Sequence, residues 1–135
     1  MQDKTEQKHV ALKLPNLSDL HNESDVEQKL VYPLLVEPKP YGFEIPVTSI
    51  LTKANIRRFK IDKGTAGKIY FPDYLIIIAG FPLVVIEAKA PTEDVIEAYR
   101  EARLYAGEIN AQYQSGLNPV QLVIATNGSR LLNPA

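Results

Sequence analysis

The sequence predicts an α/β domain with the element order αβββαβ, a mixed central sheet flanked by helices. Three observations carry that expectation. Two runs of β-branched and aliphatic residues, 74–78 and 83–86, flank Ala79-Gly80 and read as a hairpin with both faces covered. Apolar residues at helical spacing precede it at Val26, Leu30 and Leu34, and follow it at Val95, Tyr99, Ala102, Tyr105 or Ala106 and Ile109. A last apolar run, 120–125, comes after the second helix, so it most simply lies parallel to a central strand through a right-handed crossover.

Taken in order, residues 1–22, with little pattern beyond Val10-Ala11-Leu12, are expected to be a polar mobile arm or a short edge element, and residues 23–135 the domain. The first helix starts at Ser24, an N-cap residue with Glu27 at the capping-box position, and Pro33 should end or kink it. Pro38, Pro40, Gly42 and Pro46 make a loop, residues 56–61 read as the first strand, and residues 62–67 as a turn. Gly64 to Lys68 superficially resembles a phosphate-binding loop, but that pattern needs Gly at 62 and Ser or Thr at 69, where the chain has Asp62 and Ile69. Thr92 is the expected N-cap of the second helix, with Glu93 and Asp94 suited to the positive end of its dipole. Ser115 to Pro119 stops that helix, and Asn127-Gly128 turns the chain out of the final strand.

Composition narrows the chemistry. With 135 residues, 45% hydrophobic and 23% charged, the chain supports one globular domain with an ordinary core. No apolar run approaches the roughly 18 residues of a membrane span, and the first residues lack a signal-peptide apolar region, so a cytoplasmic location is expected. The absence of cysteine removes disulfides, thiolate zinc sites and a cysteine nucleophile; two histidines are too few for a histidine-rich metal site. A net charge of −1 argues against gripping nucleic acid by bulk positive charge. Lys53, Arg57, Arg58, Lys60, Lys63 and Lys68 nevertheless cluster in mid-sequence, either as a charged strand edge or as a surface facing DNA.

The informative charges are Asp73, Glu87 and Lys89, which interrupt the two apolar strands. Glu87 and Lys89 are two apart and share a face. Asp73 falls opposite Glu87 if the hairpin has a three-residue connection or a bulge near residues 79–81, and Gly80 permits either. Opposed residues have Cβ atoms roughly 4.5–5.5 Å apart, so two carboxylates there repel each other in a poorly solvated setting. A divalent cation relieves that repulsion, and Lys89 beside it offers a point charge for an anion such as phosphate. The plain alternative is a structural ion pair at a strand end.

Pro72-Asp73 followed at hairpin spacing by Glu87-Ala88-Lys89 resembles the signature of the PD-(D/E)xK nuclease superfamily. From about residue 24 to 128 the chain is similar to the N-terminal nuclease domain of type I restriction enzyme R subunits. The Glu27 helix running into Tyr32-Pro33-Leu34-Leu35, the helix carrying Tyr105 and Ala106, and the strand ending Thr126-Asn127-Gly128 add to the match. The resemblance implies a restriction-endonuclease-like core and a Mg²⁺-dependent DNA endonuclease, Mn²⁺ substituting. It implies Asp73, Glu87 and Lys89 as catalytic residues, and Asp73, Glu87, the Ala88 carbonyl and Glu27 around the metal. Glu27 thus carries two readings, a capping carboxylate or a third acidic group at the metal.

The resemblance also implies DNA as substrate, helicase motor domains in the same chain, and methylation and specificity subunits as partners; with no motor or Walker motif in the sequence, the chain is expected to be a fragment of a longer protein, the alternative being a stand-alone relative. One departure stands out: the family pattern has Gln-x-x-x-Tyr on the second helix, and here the positions are Glu101 and Tyr105. A carboxylate cannot donate the hydrogen bonds of an amide. Glu101 and Tyr105, with Arg57, Arg58 and Lys60, are the candidate nucleic-acid contacts; their plain reading is that Tyr105 belongs to the apolar stripe and Glu101 pairs with Arg100, Arg103 or a lysine. The alternative function is a non-catalytic nucleic-acid or partner-binding module that keeps the nuclease fold.

Overall fold

The computed structural model describes residues 14–56 and 71–132, and within them the expected αβββαβ order is present. A helix α1 runs through three consecutive segments, Glu23–Asp25, Val26–Val31 and Tyr32–Val36. Strand β1 (Ile50–Thr52) leads into a one-turn helix α2 (Lys53–Ile56). The hairpin β2 (Tyr74–Ile78) and β3 (Phe81–Ala88) follows, then helix α3 (Val95–Asn110), strand β4 (Leu122–Thr126) and a two-residue strand β5 (Leu131–Leu132). The strands lie side by side in chain order, antiparallel except for β3 and β4, which are parallel and joined by α3.

Residue alternation sorts the sheet's side chains into two cores. Leu75, Val85 and Val123 face α3 and pack with Ala102, Tyr105, Ala106 and Ile109. Tyr74, Ile76, Ile86 and Ala88 face the other way, onto Val26, Val31 and Leu35 of α1 and onto Leu20. Both faces of the sheet are therefore covered, as the unbroken apolar runs require.

The register places the charges. Ala79 and Gly80 form a two-residue turn with φ of 53° and 83°, the left-handed pair that a type I′ hairpin needs. A two-residue turn alone would set Asp73 across from Ile86. The expected bulge corrects this, two residues beyond residue 81: Ile76 pairs with Val84 but Ile77 pairs with Pro82, leaving Leu83 as the extra residue. Pro82 has no N–H to give a ladder, which is why prolines inside sheets sit at such irregularities. The Leu83 carbonyl is instead used by the Gln121 amide at 3.2 Å. Beyond the bulge Tyr74 pairs with Ile86, and continuing that register brings Asp73 beside Glu87.

Several expected boundaries shift. Asn22, not Ser24, caps α1, its side chain accepting from the Asp25 amide at 2.8 Å, so Glu27 has no capping role. Residues 26–31 are π-helical, and the wider turn moves the buried stripe from Val26, Leu30 and Leu34 to Val26, Val31 and Leu35. Pro33 does not end the helix; it falls at the start of the final α-helical segment, where a missing N–H is tolerated, and the helix continues to Val36. Asp94 rather than Thr92 caps α3, accepting from the Ile96 amide at 2.9 Å. The first strand is 50–52; Ile56 is helical and buried in the α3-side core, and the rest of the expected strand 56–61, with the turn after it, lies outside the described residues.

Among the described residues no helix is long and apolar enough to cross a membrane.

Candidate active site

Asp73 stands at a bend just before β2, at the end of the hairpin opposite its turn. It is 2% exposed, and Glu87, the last charged residue of β3, is 3% exposed. The two are tied through the backbone: Asp73 N–H donates to Glu87 Oε1 at 3.2 Å, and Ala88 N–H donates to Asp73 Oδ2 at 2.7 Å. Charge-assisted bonds of this kind let carboxylates stay where apolar burial would expel them.

Helix α1 supplies two more carboxylates. Glu23 and Glu27 are four apart on a helix face that docks on the hairpin: the Tyr74 hydroxyl donates to the Glu27 carbonyl at 3.3 Å, and the Tyr32 and Tyr74 rings lie 6.3 Å apart. One carboxylate oxygen each from Glu23, Glu27 and Asp73 falls within 4.8 Å of the others. Burial first, then the charge of Asp73, pushes the Glu27 carboxyl up to about 7, and the same two causes raise Glu23.

Two lysines flank the carboxylates. Lys53, the first residue of α2, reaches back along the edge of the sheet and puts Nζ 3.1 Å from Asp73 Oδ1. That buried oxygen receives no aligned hydrogen bond, so the lysine charge is what compensates it. Lys89 is fixed at its backbone, its amide donating to the Thr126 carbonyl at 2.9 Å in continuation of the β3–β4 ladder. Its ammonium lies 3.8 Å from Glu101 Oε1, so α3 holds it at the α3 side of the cluster. Its charge still acts favourably on ionised Glu23.

The donor set of Glu23, Glu27 and Asp73 is wholly carboxylate oxygen, which suits a hard cation such as Mg²⁺ or Mn²⁺. Asp73 Oδ1 is a buried acceptor without an aligned donor, and burial together with the Asp73 and Glu23 charges holds the Glu27 carboxyl above its ordinary value. These residues fit a divalent ion.

The structure brings together Asp73, Glu87, Ala88, Glu27 and Lys89. It adds Glu23 and Lys53, which sequence reasoning missed. The signal for Glu23 was its i,i+4 spacing from Glu27; Lys53 was legible only as a member of the basic cluster. Glu101 pairs with Lys89, while Arg100 pairs with Glu97 and Arg103 lies over the Tyr99 ring. The expectation that Tyr105 contacts nucleic acid is corrected: it is 0% exposed and packs edge-on against Phe71 in the α3-side core. Arg57, Arg58 and Lys60 lie outside the described residues.

A mixed sheet between helical layers, with acidic residues gathered at the end of its central hairpin, defines a restriction-endonuclease-like core. Comparison with protein families goes further. The model for the type I restriction enzyme R protein N terminus matches residues 21–134, and the chain belongs to that family. No curated protein and no solved structure matches it. Membership implies a nuclease-like role on DNA within a multi-subunit restriction assembly.

Proposed function

We propose that this domain is a Mg²⁺-dependent endonuclease that hydrolyses phosphodiester bonds in DNA. The observation that supports it best is the buried Asp73 carboxylate, bonded to the strand that carries Glu87 and leads into Lys89, and crowded by Glu27 and Glu23. Asp73, Glu87 and the Ala88 carbonyl would hold the ion, with Glu27 and Glu23 completing the set from α1; Mn²⁺ would serve in its place. When bound, the ion supplies Lewis-acid stabilisation of the charge that grows on the phosphate oxygens.

The chain's own residues do the rest. The Ala88 amide fixes the rotamer of Asp73, and the Asp73 amide fixes Glu87, so neither carboxylate must reorganise as substrate arrives. Lys89, the residue after β3, contributes a compact positive charge that orients the scissile phosphate and the attacking water. Glu101 lies beside Lys89 on the side where α3 would meet DNA. In the full system the DNA would be delivered by motor domains in the same chain, with methylation and specificity subunits as partners.

The test is incubation of supercoiled and linear DNA with the protein and Mg²⁺ or Mn²⁺, beside Asp73→Asn and Lys89→Ala. Metal-dependent nicking or linearisation lost in both variants is expected. Equal behaviour of the parent and Lys89→Ala at every metal concentration would favour a binding module that keeps the fold without cutting.

A further inference from the structure

We infer that Lys53 is a tethered competitor for the metal: its ammonium and a divalent cation claim the same oxygen of Asp73, and the ion enters by displacing the lysine. The inference rests on the reading of Asp73 as a metal ligand.

The Lys53 Nζ is 3.1 Å from Asp73 Oδ1, while the other oxygen of that carboxylate is already committed to the Ala88 amide at 2.7 Å. An incoming cation therefore meets Oδ1 with an ammonium on it. The two lysines differ in how they are held. Lys89 leaves a sheet ladder and pairs with Glu101 on α3. Lys53 leaves a single-turn helix at the edge of the sheet, and its side chain is 56% exposed although the Asp73 side chain it contacts is almost wholly buried. A long, half-solvated side chain can swing into water without disturbing the core, whereas Asp73 is buried and bonded to the Ala88 amide. A divalent ion bonded directly to several carboxylate oxygens brings twice the charge, so it wins the exchange at sufficient concentration.

Two consequences separate this from an ordinary structural ion pair. Removing the ammonium should tighten metal binding, because the ion no longer has to displace it, by roughly fivefold, the scale of a part-exposed ion pair. It should also lower the unfolding midpoint without metal, yet leave the midpoint at saturating metal equal to that of the parent, since Lys53 has left Asp73 in both.

The experiment is calorimetric titration with Mn²⁺, at mildly alkaline pH where Glu27 is ionised, together with thermal unfolding at zero and saturating metal. The samples are the parent chain, Lys53→Met, Lys53→Gln and Asp73→Asn; Lys53→Gln carries the test should Lys53→Met fold poorly. Tighter binding in the Lys53 variants, with midpoints that converge at saturation, is the expected result. Binding in the parent with equal or weaker binding in the Lys53 variants overturns the inference and leaves the metal site intact. Absence of binding in the parent and in the Lys53 variants alike overturns both.

Discussion

The Asp73 and Glu87 carboxylates are held by each other's strands: Asp73 N–H donates to Glu87 Oε1 at 3.2 Å while the amide following Glu87 donates to Asp73 Oδ2 at 2.7 Å. An asparagine at 73 can still accept from the Ala88 amide, but an alanine cannot. Asp73→Ala is therefore expected to be less stable than Asp73→Asn by about 1–3 kcal/mol, the cost of a buried amide left without an acceptor. Urea unfolding of the two variants measures the difference; equal stabilities would mean that the bond does not hold the hairpin end.

A divalent ion that binds only the folded state should stabilise it. At about a hundred times Kd the gain is about 2.7 kcal/mol, or roughly 5–10 °C in the unfolding midpoint of a domain this size. Mg²⁺ and Mn²⁺ should both act, and Asp73→Asn should remove most of the shift. Differential scanning fluorimetry over a metal series is sufficient, and a parent midpoint that ignores millimolar metal would count against Asp73 as a ligand.

The raised Glu27 carboxyl gives a pH dependence of definite sign. Its ordinary value is 4.5 and its folded value about 7, so between these limits the folded state holds more protons than the unfolded one. Without metal, stability should fall as pH rises from about 4.5 to 7 and then level off, and Glu27→Gln should flatten that slope. Chemical unfolding across this range, with a chelator present, checks it; a steeper loss in Glu27→Gln would contradict the assignment.

The sequence made the hairpin and its charges legible because strand alternation and turn parity are local rules. Asp73 beside Glu87 followed from counting residues, given one bulge, although Pro82 rather than Gly80 marks where that bulge sits. What stayed hidden was set by distant packing or by near-equal local choices. Asn22 and Ser24 are both good N-caps, and the choice of Asn22 with the π-helical turn released Glu27 from capping and set it beside Glu23. Lys53 meets Asp73 only because β1 pairs with β2, and three residues, Ile50, Leu51 and Thr52, are too few to announce a strand against the longer alternation at 56–61. Tyr105 fitted both a DNA-facing pair with Glu101 and the apolar stripe; helical spacing allowed both, and the sheet packing chose the stripe.

Ala79 occupies the left-handed region at the first turn position, where L-residues other than asparagine, aspartate and glycine are strained by roughly 1 kcal/mol. Nothing contacts a Cβ placed at the neighbouring Gly80, so the turn itself is open to solvent. Ala79→Asn should stabilise the domain by about 0.5–1 kcal/mol without affecting metal binding, because the turn lies at the far end of the hairpin from Asp73. Unfolding midpoints with and without metal would show it; destabilisation would mean that the turn does not have I′ geometry in solution.

Glu101 and Lys89 form the contact on which the DNA side of the site turns. Their 3.8 Å separation leaves the lysine charge partly compensated by a carboxylate that is itself only partly exposed. Replacing Glu101 by glutamine, the residue of the family pattern, keeps the shape, removes a negative charge from the side proposed to meet phosphate, and restores donors. Glu101→Gln should therefore strengthen DNA binding several-fold, most at low salt, and raise the cleavage rate if Lys89 acts on the scissile phosphate. The double variant Glu101→Gln with Lys89→Ala separates the two contributions. If the gain arises from releasing Lys89, it vanishes in the Lys89→Ala background; if it arises from general repulsion of DNA by Glu101, it persists there. Binding measured across a salt series, with single-turnover cleavage beside it, distinguishes these. Should Glu101→Gln bind and cut like the parent at every salt concentration, the Lys89–Glu101 pair is scaffold, and α3 contributes packing alone.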